Sequence, residues 1–273
     1  MVSPAARKSV CASLLKAGCS RVRACRVARL SRPASRAKKR DRNPELRARV
    51  LELAKKYPRF GFRRIHLLLP GVNRKAVHRI WREEGLRLSR RRRKRLKVAS
   101  SAPMELTGTN QAWCMDFASQ TLENGRQARI LAILDCFSRE CLLLKSAASF
   151  PSSSVQREIE WLFLVHGKPS RIVTDNGPEF RALDLPEGVE PAFIQPGSPW
   201  QNGRIESFFD KLRDELLNRE LFPTGSELQA HLDEYLEFHN HLRPHLSLGG
   251  QTPARFKEIA HSTILQETEI LTL

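Results

Sequence analysis

Three acidic residues stand at positions where a carboxylate could do chemistry. Asp116 interrupts the apolar and aromatic run WCMDF, and Asp175 directly follows the apolar run IVT. Glu206 lies near the start of the amphipathic stretch 201–221. A charge within a strand is costly unless it is paired or bound to a metal ion. Carboxylate oxygens suit Mg²⁺, and two such ions about 3.5–4 Å apart would activate the attacking oxygen and stabilise the leaving oxygen of a phosphodiester displacement.

Each of these acids also has a plainer explanation when it is taken alone. Asp175 could cap the turn made by Asn176-Gly177-Pro178, and Glu206 could be a solvated helix acid. Asp116 could be paired within its sheet. The set of three favours a metal site, because two strands and one helix deliver the acids behind a strongly basic N-terminal region.

Other candidate ligands are weaker. Asp135 follows the apolar run ILAIL, where a role in a turn explains it. His239, His241 and His245 lie in the stretch FHNHLRPH. Pro244 stands between the last two histidines and would distort a helix. A structural or DNA-facing role is therefore favoured there over metal binding.

The elements that must position the acids follow from the hydrophobic pattern after about residue 109. Asn124-Gly125 is a strong hairpin signal between the first two strands. The predicted strands are 111–122, 128–139, 140–149, 170–177 and 189–196. The predicted helices are 152–167, with a serine N-cap and a closing glycine, 201–221 and 226–243. This order predicts a mixed α/β sheet with helices on its faces.

Charge is distributed very unevenly along the chain. The whole sequence carries 47 Lys and Arg against 29 Asp and Glu, and its first 100 residues hold 32 of the basic and 5 of the acidic ones. Such asymmetry favours a polyanion-binding region joined to a part with its own task. Nucleic acid is the expected polyanion. An anionic membrane surface is the rival, but no long apolar amphipathic segment supports it.

Two further expectations concern the cellular compartment of the protein and the redox state of its cysteines. No run approaches the ~18 apolar residues of a membrane-spanning helix, and the N-terminus lacks the apolar core of a signal peptide. We therefore expect a cytoplasmic protein. The six cysteines form no CxxC pair and are read as reduced thiols, with a zinc site on Cys11, Cys19 and Cys25 as a minor alternative.

The basic N-terminal region reads as helices. In 8–30, Gly18 can end one helix and Ser20 can cap the next, and 31–42 reads as a basic linker. In 44–85, two Arg-rich helices joined by the turn PGVN outline a helix-turn-helix, with Asn73 as N-cap and Gly85 as stop. The run 87–97 reads as an arm that tracks phosphates. The candidate DNA-contacting residues here are Arg63, Arg64, Arg74, Lys75, Arg79, Arg90, Arg91, Arg92, Arg93, Lys94 and Arg95.

Taken together, five stretches resemble a known family. WCMDF, RILAILDCFSRECL, RIVTDNGPEF, IQPGSPWQNGRIESFFDKLRDELLN and HNHLRPHLSLGGQTPARF resemble, in this order, the catalytic product of insertion-sequence transposases, the downstream-frame (OrfB-type) product whose core is similar to retroviral integrase. FGFRRIHLLL…VNRKAVHRIWREEGLRL resembles the helix-turn-helix that precedes this core. The resemblance covers roughly residues 40–258.

The resemblance implies a ribonuclease H-like fold, with a mixed sheet flanked by helices behind an all-α helix-turn-helix region. The domains expected from it are 1–42 (basic helical segment and linker), 43–86 (helix-turn-helix), 87–108 (basic linker), 109–258 (integrase-like core) and 259–273 (C-terminal tail). Asp116, Asp175 and Glu206 match the catalytic and metal-binding D-D-E triad, served by Mg²⁺ or Mn²⁺. Asn202 and Arg213 match positions that face DNA.

The implied activity is cleavage at the terminal inverted repeats of a mobile element, followed by strand transfer by the freed 3′-hydroxyl. The expected partners are terminal-repeat and target DNA, further copies of the chain on that DNA, and an upstream-frame DNA-binding protein; no membrane is expected. The sequence departs from the family in the 30 residues between Asp175 and Glu206, fewer than usual. Two alternatives therefore stay open: a catalytically weak or inactive DNA-binding derivative that acts as a repressor, and a nuclease of the same fold.

Overall fold

The structure is a computed structural model, and it describes residues 3–36, 43–88, 105–194 and 202–271. The chain divides into two compact units, residues 1–51 and 52–273, with the boundary inside a helix. The sequence instead predicts a first boundary after residue 42. Each unit is described by itself.

The first unit is helical. Its helices are α1 (Pro4–Lys16), α2 (Arg21–Val27), α3 (Arg32–Arg36) and the beginning of α4 (Pro44–Lys56). Gly18 has a φ of 82° between α1 and α2, and the Ser20 side chain accepts the Arg23 amide proton, as the sequence predicts. The expected linker 31–42 instead contains α3, which the Ser31 hydroxyl begins by accepting from the Ala34 amide.

The second unit begins with a pair of helices, α5 (Phe62–Leu67) and α6 (Arg74–Glu83). The Asn73 side chain caps α6 by accepting the Lys75 amide proton at 2.8 Å, and Gly85 has a φ of 68° after its end. Both features confirm the predicted start and stop. The buried residues of the pair are Ile65, Leu69, Val77, Ile80 and Trp81.

A five-stranded mixed sheet forms the centre of this unit. The strands are β1 (Trp113–Thr121), β2 (Gln127–Asp135), β3 (Cys141–Ala147), β4 (Arg171–Thr174) and β5 (Glu190–Phe193). They lie in the order β3-β2-β1-β4-β5. β1 to β3 form an antiparallel meander, and β4 and β5 run parallel to β1. This is the ribonuclease H-like arrangement. The predicted hairpin is confirmed, since Gly125 has a φ of 76° between β1 and β2.

Helices cover both faces of the sheet. They are α7 (Ser152–His166), α8 (Pro178–Arg181), α9 (Gly203–Leu212), α10 (Gly225–Glu237) and α11 (Pro253–Leu271), with a short 3₁₀ turn at Leu246–Leu248. Because strand side chains alternate between faces, Trp113 and Met115 pack with α7 in one core cluster. Cys114 and Ala118 pack with α9 and α10 in the other.

Three helical details differ from the sequence-based expectation. Pro151, not a serine, takes the N-cap position of α7, because its extended backbone leaves Ser152 as the first helical residue. The expected helices 201–221 and 226–243 each end in a wider π-helical turn, Arg213–Leu217 and Phe238–Leu242. π-Turns of this kind are frequent at functional sites. None of the described helices is both long and apolar enough to cross a bilayer.

Candidate active site

Asp116 and Asp175 are neighbours across two parallel strands. β1 and β4 pair with Trp113 opposite Ile172 and Cys114 opposite Val173. Carried two residues further, the same register sets Asp116 opposite Asp175. Asp175 comes directly after the last residue of β4, at the carboxyl end of the strand, where α/β sheets place ligands. The sheet therefore brings together two acids that are 59 positions apart in the chain.

Both acids face α9. Side chains two residues apart along a strand point to one face, so Asp116 shares the face of Cys114 and Asp175 that of Val173. Cys114 and Val173 belong to the core cluster that includes Ile205 and Phe208 of α9. Glu206 lies in the first turn of that helix. Asp116 is partly buried, whereas Asp175 and Glu206 are exposed.

The electrostatics show that the three carboxylates act on one another. The pKa of Asp116 is raised to about 6, chiefly by burial and in addition by the negative charges of Asp175 and Glu206. The Phe117 amide, which donates to Asp116 Oδ1 at 2.7 Å, and the charge of Arg213 oppose this rise. A partly buried carboxylate beside two like charges is a poor arrangement without a cation.

Asp175 has the turn role that its sequence context suggests. Its Oδ1 accepts the Gly177 amide proton at 2.9 Å, which closes the turn. The Asn176 side chain donates to the Ile194 carbonyl at 2.8 Å and so ties the turn to the end of β5. A Cβ on Gly177 would lie 2.9 Å from Asp175 Oδ1. The turn therefore requires glycine if the carboxylate is to stay at the end of the strand.

The carboxylates of Asp116, Asp175 and Glu206 are chemically suited to a hard divalent cation. Their positions in the structure do not form a complete binding site for one. Carboxylate oxygens are the ligands that Mg²⁺ prefers, and the raised pKa of Asp116 is what a cation would reverse. Within the described part of the chain, however, no three His, Cys, Asp or Glu side chains lie close enough together to hold one metal ion. The charges of Asp175 and Glu206 nevertheless act on Asp116.

Two further predicted residues flank the triad. Arg213 is exposed, lies at the start of the π-turn, and its guanidinium is 5.7 Å from the Phe209 ring. Its charge reaches Asp116. Asn202 precedes α9 and is 4 % exposed, and its Oδ1 has no hydrogen-bond partner among the residues that the structure describes. Asn202 thus lies beneath the surface on which the sequence placed it.

Of the five predicted DNA-contacting residues of the helix pair, four are at least partly exposed and the fifth, Arg64, points inward. Arg63, Arg74 and Lys75 are exposed, and Arg79 is half-buried. Lys75 and Arg79 line an open groove of about 420 Å³ along α6, with His78, Arg82 and Glu83. Residues 90–95 lie outside the described residues.

Arg64 points inward, which the sequence did not suggest. Its Nη1 donates a hydrogen bond to Glu215 Oε1 at 3.1 Å. Arg243 donates two hydrogen bonds of 2.7 Å to the same carboxylate, and we call this three-residue arrangement the clamp. The Arg243 and Glu215 side chains are only 2 % and 7 % exposed. The clamp joins α5 to the two π-turn regions, and its members are too far apart in sequence for any local pattern to reveal it.

The weaker candidates have structural roles. Asp135 accepts amide protons from Asn110, Phe137 and Ser138 at 2.7–3.0 Å, which confirms its role in a turn. His239 is buried, and its Nε2 donates to the Arg139 carbonyl at 3.1 Å. In the first unit, the sulfurs of Cys11 and Cys25 lie 3.8 Å apart.

Comparisons with known proteins bear on this geometry. Two family models, each described as an integrase core domain, match residues 107–199 and 187–253. A 31.7 kDa protein of insertion element IS407 from Burkholderia multivorans is 36% identical over 253 residues, covering 88% of this chain and 91% of its own. A 39.2 kDa protein of insertion element IS476 from Xanthomonas euvesicatoria is also 36% identical, covering 86% of this chain and 71% of its own. Transposase InsD of insertion element IS2 from Escherichia coli is 29% identical, covering 76% of each chain.

The sheet order, the acids at its parallel edge and the matched core domain define an integrase-core protein of ribonuclease H-like fold. The long matches to insertion-element proteins then settle the group within that class. The chain belongs to the insertion-element transposase family, in the group of downstream-frame products that includes InsD.

Proposed function

We propose that this chain is the catalytic transposase of a mobile element. It binds the element's terminal inverted repeats, cleaves a phosphodiester bond at each end, and transfers the freed 3′-hydroxyl to target DNA. The observation that supports this proposal is the parallel register of β1 and β4, which when continued sets Asp116 opposite Asp175, together with the effect of the Asp175 and Glu206 charges on Asp116.

Asp116, Asp175 and Glu206 would hold Mg²⁺, with Mn²⁺ as a substitute. Bound there, the metal supplies charge stabilisation for the attacking and leaving oxygens of an in-line displacement. The chain itself orients the set: the Asn176-Gly177 turn holds Asp175 at the end of β4, and the Phe117 amide fixes one oxygen of Asp116. Arg213 carries a cation beside the triad, where the phosphates of a DNA end would lie.

DNA binding would involve the groove along α6 and the arm 87–97. Arg63, Arg74, Lys75 and Arg79 fit phosphate contact, because three are exposed and the fourth lines the groove. Two DNA ends must be held together for transposition, so we propose further copies of this chain on the DNA, with an upstream-frame DNA-binding protein as another partner. We place this assembly on the bacterial nucleoid.

The test uses a duplex that carries the element's own terminal repeat, with Mg²⁺ or Mn²⁺. The wild type should nick the repeat end and join it to a second duplex, and Asp175→Asn should abolish both products. Asp184→Asn is the matched control, because Asp184 is exposed and lies in the loop that follows the Asp175 turn. Binding by the wild type without cleavage or joining in either metal would overturn the proposal.

The second candidate is a DNA-binding derivative that cuts weakly or not at all and represses the element. The short connection between β4 and β5, which consists of a single helical turn, α8, and a loop, favours it. Cleavage without joined products would instead identify a nuclease of the same fold.

A further inference from the structure

A cavity against α9 takes no part in the proposed chemistry. Its volume is about 180 Å³. Arg204, Ser207 and Lys211 line it from α9. Helical residues follow one another at about 100°, so these three project from the flank of the helix opposite to Glu206 and Arg213.

The remaining walls come from distant parts of the second unit. Arg139 enters from the turn between β2 and β3, Arg64 from α5, and Arg243 from the segment after the second π-turn. Together with Arg204 and Lys211, five basic side chains line one small cavity. No Asp or Glu is among the described residues that line it.

The carboxylates that act on these cations lie behind them and are shared. Glu215 serves both Arg243 and Arg64. Asp135 acts on Arg139, but its oxygens already accept the bonds of the β2–β3 turn. Asp210 and Glu215 both act on Lys211. Among the described residues, then, the carboxylates near these cations stand outside the cavity lining, and the lining itself carries basic groups and no acid.

Lys211 shows how unfavourable this concentration of charge is. Burial lowers the pKa of Lys211, and the charges of Arg243 and Arg64 lower it further. Burial also lowers the pKa of Arg139, with Arg204 as the next cause. A folded-state pKa below the usual value means that the charged form is disfavoured by the fold. Such an arrangement suits a site whose charge is balanced by a ligand.

Two neutral histidines complete the wall. Burial, with the charge of Arg243, lowers the pKa of His239 to about 3 and that of His245 to about 2, so both are uncharged at neutral pH. The backbone carbonyl of Arg139 can only accept, so the Nε2 of His239 carries a proton and donates the hydrogen bond to that carbonyl oxygen. Its Nδ1 is then a buried acceptor, and it has no partner among the described residues.

We propose that this cavity binds a phosphate group, and that the group belongs to the backbone of the DNA on which the chain acts. Guanidinium and ammonium groups converging on one point form the strong, charge-assisted bonds that recognise phosphate. The assignment of phosphate rests on the cavity alone. The assignment of DNA as its source rests on the proposed function. The site is separated from the triad by the width of α9.

The first experiment measures thermal unfolding of the full chain in EDTA, with sodium phosphate or with sodium chloride at equal ionic strength. Phosphate should raise the Tm of the wild type more than chloride does, because a ligand bound only by the folded state stabilises it. Lys211→Gln should start at a Tm no lower than the wild type, since its lysine is disfavoured by the fold, and should lose most of the phosphate response. Arg219→Gln, an exposed arginine on the following turn, is the charge-matched control and should keep it.

An equal rise with chloride, or an undiminished phosphate response in Lys211→Gln, overturns the phosphate site. The second experiment measures DNA binding without divalent metal. Lys211→Gln should weaken binding about tenfold, the loss expected for one charge-assisted contact, and Arg219→Gln should change it little. A normal DNA affinity together with a lost phosphate response overturns DNA as the source and leaves a free phosphate. Loss of cleavage activity with an intact phosphate response would refute only the proposed function.

Discussion

The clamp of Glu215 with Arg243 and Arg64 predicts the largest stability effect of any single side chain outside the cores. Glu215→Gln keeps the shape of the side chain and removes its charge. Arg243, 2 % exposed, then stays buried without its counter-charge, and Arg64, 19 % exposed, loses the same partner. Removing one member of a buried pair typically destabilises a protein by about 3–5 kcal/mol, because a buried charge is left uncompensated.

We expect the lower end of that range, about 3 kcal/mol, because the amide oxygen of Gln can still accept one bond. For a unit of this size, 1 kcal/mol shifts the Tm by about 2–4 °C, so the Tm should fall by about 6–12 °C. Urea unfolding followed by circular dichroism gives the free energy directly. The control is Glu234→Gln on α10, where the side chain is 82% exposed and 3.9 Å from His231; it should change stability by less than about 0.5 kcal/mol.

The double variant Glu215→Gln with Arg243→Met separates charge from packing. The second substitution removes the Arg243 guanidinium, which Glu215→Gln leaves buried without a counter-charge. The double variant should therefore be no less stable than the single variant, despite one further substitution. A loss below about 1 kcal/mol for Glu215→Gln, equal to that of the exposed control, would refute the reasoning that the clamp is dry and tightly coupled.

Three further predictions concern the triad and the DNA. Asp116→Asn should stabilise the metal-free chain by about 1–2 kcal/mol above pH 6 and by nothing below pH 4, because a raised folded-state pKa disfavours the fold only once the carboxyl ionises; urea titrations at pH 4 and pH 7.5 check this, and an equal gain at both contradicts it. Gly177→Ala should lower joining activity at least about tenfold by displacing Asp175 Oδ1, since a catalytic group moved by an ångström loses far more than that; Gly225→Ala, where a Cβ meets nothing within 4 Å, should not. The proposed phosphate contact of the arm 87–97 predicts that DNA binding, measured by filter retention, weakens steeply with salt; a flat response contradicts that contact.

The triad stays a prediction, and two of its acids can be picked out from sequence because each breaks a local pattern. Asp116 is a charge inside a strand, and Asp175 ends a buried run in a turn that glycine completes. Period-two alternation then fixes the face of each strand residue. The exposure of the residues next to the triad was harder to predict from sequence, because it depends on which other elements pack against them. Nothing local distinguishes Asn202, which is buried, from an exposed N-terminal residue of the same helix.

The π-turns after α9 and α10 show another limit of the periodic pattern. Leu216 and Leu217 continue the apolar spacing of α9, so the pattern predicts an uninterrupted helix to residue 221. One residue inserted into a turn shifts every later side chain around the axis. Here the shift sets Glu215 where Arg243 and Arg64 reach it. The contact of Glu215 depends on partners from α5 and from beyond α10. No local window of sequence contains all three residues.

The same helix thus faces two different electrostatic problems, and this is the strongest link between the two proposals. On one flank of α9, burial and the charges of Asp175 and Glu206 raise the pKa of Asp116. On the other flank, burial and the charges of Arg243 and Arg64 lower the pKa of Lys211. Each flank would be relieved by a ligand of the opposite sign, a cation at the triad and a phosphate in the cavity. A DNA strand with its metal supplies both, so the metal-free, DNA-free chain should be less stable than either bound form, and phosphate and Mg²⁺ should raise its Tm independently of each other.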